Sequence, residues 1–282
     1  MLRKILVPLD CSAYTPAAVR FASSMAKGGQ TSKAGGVSIV GLSVVDTDQF
    51  PVGKFASIVP REELLKDARQ KAEQLMNDFR SLTATLGLKK ALVEAHMIVG
   101  SPFREIIRHG VFCDLIVMTR TCSFPPVQHD YDTLTHLYHR SSRPIVIASE
   151  EFRPVRKVIM AMNGTAPASR LMYAYAQLNA FPDAKLKVVY SKKEQSEYHL
   201  GEFFENVKAY FKSYGYKVEL AGLGGNFEQK LAAEVKKDKA ELLAMGIPAE
   251  HIIDKFRETL RLKTHPVQQM LDKTGTSLFT VH

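Results

Sequence analysis

The sequence predicts an α/β protein of two tandem doubly wound domains, each built on a five-stranded, Rossmann-like parallel sheet. Three observations carry this reading. A chain of 282 residues is long enough for two domains of ordinary size, each burying its own core. Short apolar runs closed by turn residues alternate with amphipathic stretches, the mark of strands and helices in turn. Finally, the alternation occurs twice. Residues 3–16 read RKILVPLDCSAYTP and residues 156–167 read RKVIMAMNGTAP. Each is an Arg-Lys pair, an apolar run, a small polar loop and a proline, followed by an Ala-rich stretch. Such a repeat makes the second half a copy of the first in fold.

The elements follow in order. The opening runs are first strands, and the proline-led stretches are helices starting at their first turn. Second strands are expected at Val37–Val45 and Leu186–Tyr190. Residues 60–86 form a long amphipathic helix with Leu64, Leu65, Ala68, Ala72, Leu75, Met76, Phe79 and Leu82 on one face, and residues 201–214 supply a shorter equivalent. Third strands are expected at Leu92–Ile98 and Tyr216–Ala221, and the helices after them begin at Gly100-Ser-Pro and Gly225-Asn-Phe. Ser101 and Asn226 are suited to cap those helices. Fourth strands fall at Asp114–Thr119 and Glu241–Gly246, fifth strands at Pro144–Ala148 and Ser277–Val281. The boundary lies near Glu150–Pro154, giving domains 1–150 and 151–282. Pairing of the two fifth strands into an intramolecular pseudo-dimer would cover two sheet edges; association of two chains into a homodimer stays open.

Composition narrows the function classes. The formal net charge is +9, with 18 Lys and Arg against 14 Asp and Glu in residues 1–150, and 20 against 15 in the remainder. The excess is spread evenly, without a block of like charge, so a solvated surface is the expectation rather than a nucleic-acid footprint. No apolar run approaches the roughly 20 residues that span a bilayer, and Asp10 interrupts the N-terminal run too early for a signal peptide. Three cysteines, an odd number, argue against a secreted disulfide framework. A cytoplasmic protein without membrane contact is expected.

ILVPLDCSAYTPAAVRFA, IVGSPFREIIRHGVFCDLIVMT and RPIVIAS together resemble the signatures of the universal stress protein family. In residues 156–282 the likeness is carried by spacing more than by identity. The resemblance implies a strand order 3-2-1-4-5, with a ligand crevice beyond the carboxyl ends of strands 1 and 4 where the order reverses. It also implies that an Asp after strand 1 sits by a nucleoside. A Gly-x2-Gly-x9-Gly-Ser/Thr loop after strand 4 would wrap the phosphates of ATP with backbone amides, because a Cβ would block that approach.

Here the chain departs from the pattern. Thr119 to Asp132 contains no glycine, and counting back from Pro144 puts the closing Gly-Ser on Tyr131-Asp132. A carboxylate beside a phosphate is repulsive by about 1 to 4 kcal/mol, depending on screening. The second half keeps Gly246, but the closing pair falls on Thr264-His265 and Asn163 stands for the strand-1 Asp. Asp10, Cys11, Ser12, Val40, Gly100, Thr119 and Arg120 are therefore the candidates to line a nucleoside-sized crevice. The competing expectation is a crevice filled by Phe124, Tyr131 and the prolines. The function expected is a stress-response binding or regulatory protein without turnover and without the usual ATP loop. The alternative is a protein binding ATP or another adenine nucleotide with slow hydrolysis.

A second alternative is a metal- or redox-sensing module. His129, Asp132, His136 and His139 form the densest ligand set; were residues 132–140 helical, three of them would share one face for zinc. Cys11 and Cys122, at neighbouring strand ends, offer a redox pair. Catalysis finds little support, since Ser12 lacks His and Asp partners in fixed positions and Gly164-Thr-Ala is no nucleophile elbow. Asp46, Asp48, Glu62 and Glu63 read as a solvated loop and helix start. Tyr173 and Tyr175 read as packing against the sheet.

Overall fold

A strand covered on both faces has no polar side to show, and β1 (Lys4–Leu9) and β2 (Ser38–Asp46) are buried at every position after the first. The structure, a computed structural model, describes residues 1–29, 36–50, 61–127, 130–137, 140–197, 201–246 and 266–281. The chain divides into two compact units. One is Leu2–Arg143 with Ile147–Phe152, and the other is Met1, Pro144–Val146 and Arg153–His282.

In the first unit the chain continues through α1 (Thr15–Gly29), α2 (Arg61–Thr85), β3 (Val93–Gly100), α3 (Pro102–Gly110) and β4 (Leu115–Thr119). Two short strands, β5 (Thr121–Cys122) and β6 (Tyr131–Asp132), precede α4 (Thr133–Leu137) and β7 (Ile145–Ala148). The sheet order is β3-β2-β1-β4-β7, with β1 parallel to both β2 and β4 and β2 parallel to β3. Burial follows that order: β4 is buried throughout, while the edge strand β3 alternates between exposed and half-buried residues. Ala68, Ala72, Phe79 and Thr83 are buried residues of α2. The small Ala68 and Ala72 let the helix lie close against Val45 and Phe50.

The second unit repeats the arrangement. Its elements are β8 (Lys157–Ala161), α5 (Ala166–Leu178), β9 (Lys185–Ser191), α6 (Lys192–Glu197), α7 (Gly201–Ser213), β10 (Val218–Leu223), α8 (Phe227–Asp238), β11 (Leu242–Gly246), α9 (Pro266–Thr274) and β12 (Ser277–Val281). All pairs are parallel in the order β10-β9-β8-β11-β12. Tyr175 is buried, ringed by Phe211, Tyr216 and Phe279 at centroid distances of 6.2, 5.6 and 5.5 Å, whereas Tyr173 is exposed.

Both copies are fastened in the same way at the amino end of the sheet. Asp114 Oδ2 accepts from the backbone N–H of Arg3 and Lys4 at 2.7 and 2.9 Å. Glu241 Oε2 accepts from those of Arg156 and Lys157 at 3.0 and 2.8 Å. In both units one carboxylate before the fourth strand thus satisfies two amides that lead into the first. The expected helix caps divide: Asn226 accepts from the Gln229 N–H at 3.0 Å, while the Ser101 side chain makes no capping bond.

Gly246 is explained by packing. A Cβ there would lie 2.6 Å from the Pro167 carbonyl carbon and 2.7 Å from its oxygen, so β11 reaches the start of α5 only as glycine. Gly246→Ala is expected to destabilise the chain by about 1–3 kcal/mol through that overlap with backbone. Asp114→Ala is expected to cost less, about 1 kcal/mol, because the Arg3 N–H is exposed to water and only the Lys4 N–H is part-buried. Urea unfolding followed by circular dichroism measures both.

Candidate ligand site

The carboxyl ends of β1 and β4 are where an open α/β sheet of this order receives a ligand. In the first unit the chain itself lies over that place. After β4 it leaves as β5 and returns as β6, the two paired antiparallel with Thr121 opposite Asp132 and Cys122 opposite Tyr131. The excursion is pinned to both neighbouring strand ends. Cys11 N–H donates to the Ser123 carbonyl at 2.6 Å, and Asp46 N–H donates to the Pro125 carbonyl at 2.7 Å. Between these two bonds Phe124 is fully buried, as is Cys122. Thr133 closes the return: its N–H donates to Arg120 O at 2.8 Å and its hydroxyl to Thr119 O at 2.6 Å.

Asp46 is the polar centre of this plug, not the solvated loop residue expected. Its carboxylate is fully buried and accepts from Tyr131 Oη at 2.6 Å, Gln49 Nε2 at 2.7 Å and Asp48 N–H at 2.9 Å. A buried carboxylate is tolerated when its oxygens are met in this way. Gln49 Nε2 also reaches Phe124 O at 3.3 Å, joining the network to the buried ring. Burial, together with the Asp46 carboxylate, pushes the Tyr131 phenol above its ordinary value, so it stays protonated as the donor.

The residues expected to line one crevice are dispersed. Asp10 is buried, accepting from Ser12 N–H at 2.8 Å and from the Thr15 hydroxyl; burial raises its pKa above the usual 3.8. Cys11 is spent on the bond to Ser123. Val40 lies mid-strand, between Leu6 and Glu94 in register, and lines nothing at the carboxyl end. Gly100 closes β3, facing Glu105. Thr119 and Arg120 border one cleft together, of about 200 Å³, with Tyr14, Asp132 and Glu150 on its other walls. A larger cleft, about 400 Å³, lies on the other side of the plug at the start of α3. Ser101, Arg104, Tyr131, His136 and Arg140 line it, with Asp48 at one side. Its wall is aromatic: His136 stacks on Phe103 at 4.3 Å and 12°, and Tyr131 meets both rings edge-on at 5.3 and 5.4 Å. Burial and the nearby Arg140 lower the His136 pKa, which keeps the ring neutral.

The expected metal set falls only partly within the described residues. Asp132 is held in β6 rather than on a helix, and α4 covers Thr133–Leu137 among the described residues. His136 is engaged with Phe103, while His129 and His139 lie outside the described residues, as does the pair Thr264-His265. Among the described residues no three His, Cys, Asp or Glu groups converge to hold an ion. All three cysteines are free thiols. Burial, then the Asp10 charge, pushes Cys11 up to about 11 and raises Cys122 further, so neither is a ready thiolate. Phe103, Arg104, Arg140 and Asp46 were not singled out for this site from the sequence; Tyr131 was, though only as filler.

Residues 1–122 match the model of the universal stress protein family. No curated protein matches the chain in sequence. Among solved structures, a universal stress protein from Archaeoglobus fulgidus DSM 4304 superposes with a TM-score of 0.70 at 14% identity, covering 99% of this chain and 95% of that one. A functionally unknown protein, PA1789 from Pseudomonas aeruginosa PAO1, superposes with a TM-score of 0.57 at 14% identity, over 99% and 92% of the two chains. Residues 1–122 thus resemble the universal stress protein family, and the whole length of the chain shares the fold of a solved universal stress protein.

Proposed function

We propose that the chain is a cytoplasmic stress-response binding protein without turnover, whose first unit takes a small organic anion at the start of α3 rather than ATP between β1 and β4. One observation carries the reading: the bonds from Cys11 and Asp46 to Ser123 and Pro125, with Phe124 buried between them. Those amides and that volume are what a nucleoside would need. The residues present do not fit ATP. The remaining cleft by Thr119 and Arg120, about 200 Å³, is below the roughly 300–1,000 Å³ of ordinary ligand pockets, and Asp132 and Glu150 would face a phosphate with like charge. The cleft at α3 is within the range, and pairs two guanidinium groups with an aromatic wall. Such a surface suits a ligand with an apolar body and one anionic end. The three free thiols fit a reducing compartment, and no helix among the described residues is long and apolar enough to cross a membrane.

Calorimetry with ATP and magnesium is expected to show no binding that depends on Asp10. Saturable heat abolished by Asp10→Asn would return the adenine-nucleotide reading. Anilinonaphthalene sulfonate, an apolar anion, is expected to bind the native protein, and Arg104→Ala with Arg140→Ala to weaken it about tenfold, or about 1.4 kcal/mol; unchanged affinity in the double variant contradicts the assignment.

Asp10 also yields a pH prediction. A carboxyl whose folded pKa is raised contributes stability below its unfolded value, near 3.8, and loses that contribution as pH rises through the folded value. Asp10→Asn, which copies Asn163 at the same turn of the second unit, is therefore expected to be more stable than the native chain at neutral pH. The difference should fade as pH falls toward 3.8; thermal unfolding across pH reads it.

A further inference from the structure

At the amino end of the second unit's sheet, far along the strands from any carboxyl-end crevice, three lysines stand in one row. Lys157 of β8 is in register with Lys185 of β9. Lys217, just before β10, is the next in line, its carbonyl accepting from Leu186 N–H at 3.1 Å, one residue before the Val218–Leu186 pair. Neighbouring strands are about 4.8 Å apart, and like charges directly opposite one another destabilise a sheet. The fold does not require this row. At the matching positions of the first unit Lys4 is in register with Ser38, and Leu92 precedes the Val93–Ile39 pair.

The unit's own acids do not neutralise the row. One layer along the strands Lys187 takes them, with Nζ 2.6 Å from Glu234, 2.9 Å from Asp238 and 3.3 Å from Glu219. Burial works against the Lys187 charge, but these three bonds outweigh it and raise its pKa. Lys157 donates to the Asp238 carbonyl at 2.9 Å, at the carboxyl end of α8 where a cation is favourable. Lys185 and Lys217 have no carboxylate within ion-pair distance among the described residues. All four lysines line one cavity of about 350 Å³, with Ile159 and the carboxylates of Glu219 and Asp238, both bonded to Lys187, also at its walls.

We propose that this row is a binding site for a small phosphate-chain anion, its successive phosphates meeting Lys217, Lys185 and Lys157. A chain of linked phosphates places negative charges in a line, as the strands place the ammonium groups, whereas a single phosphate spans only two of them. The site is independent of the cleft at α3: it lies in the other unit and uses none of the same residues.

The test is calorimetry with sodium tripolyphosphate and, separately, inorganic phosphate, on the native chain and on Lys185→Ser with Lys217→Leu. Those substitutions install the first unit's residues, so the sheet is expected to stand, which circular dichroism checks. Tripolyphosphate is expected to bind at least tenfold more tightly than phosphate, to weaken as salt rises, and to lose tenfold or more in the double variant. The free double variant is expected to melt no lower than the native chain, the like-charge row being relieved. Equal tripolyphosphate affinity in the two proteins would overturn the proposal, as would a single-stranded oligonucleotide binding where tripolyphosphate does not. ATP serves as a further arm: binding lost with the lysines but kept in Asp10→Asn assigns its phosphates to this row, whereas the reverse pattern would overturn the assignment.

Discussion

A backbone amide at the end of a buried strand must find an acceptor, and in the first unit the chain supplies its own. The carbonyls of Ser123 and Pro125 meet Cys11 and Asp46 at the ends of β1 and β2. Once those bonds are set, Phe124 has nowhere to go but the sheet's end, where it is fully buried. Tyr131 comes within reach of Asp46, and its ring joins Phe103 and His136 in one aromatic wall. Thr133 then fixes the return of the chain through two bonds to Thr119 and Arg120. The large cleft at α3 exists because this plug ends beside it.

The two units show what the fold demands and what it leaves free. Both keep the clamp at the amino end, where Asp114 or Glu241 holds the amides of an Arg-Lys pair. Both keep the turn after the first strand: Asp10 accepts from the Ser12 N–H at 2.8 Å, and Asn163 accepts from the Thr165 N–H at 3.4 Å and its hydroxyl at 2.7 Å. That Asn serves in the second unit means the turn needs an acceptor oxygen, not a charge. What differs lies at the carboxyl end of the first unit's sheet and the amino end of the second's. The first unit fills its crevice with a hairpin excursion, while the second carries a lysine row that the first replaces with Ser38 and Leu92.

The architecture was legible because burial on both faces writes continuous apolar runs, and because the RK-apolar-loop-Pro pattern is written twice. Strand ends shifted by one or two residues, as pairing rather than propensity sets them. The site was much less legible. Asp46 read as solvated because an acid in a polar stretch usually is; its donor Gln49 is local, but Tyr131, 85 residues away, reaches it only through tertiary structure. The spacing of Asp132, His136 and His139 looked like a helix face, yet Asp132 was claimed by Thr121 across the β5–β6 ladder. Gly246 looked like a remnant of a phosphate loop, and is instead the only residue that lets β11 pass the backbone of Pro167. The absence of glycine after β4 was a local signal of a different course for the chain there, because a loop without glycine cannot wrap phosphates closely.

Native-state hydrogen exchange of the Cys11 and Asp46 amides tests the plug most directly. If the chain closes its own crevice, both amides exchange as slowly as those inside β1 and β2, and saturating ATP leaves them unchanged. Rapid exchange that becomes slow only when nucleotide is added would contradict the account, because the acceptors would then belong to the ligand and not to Ser123 and Pro125.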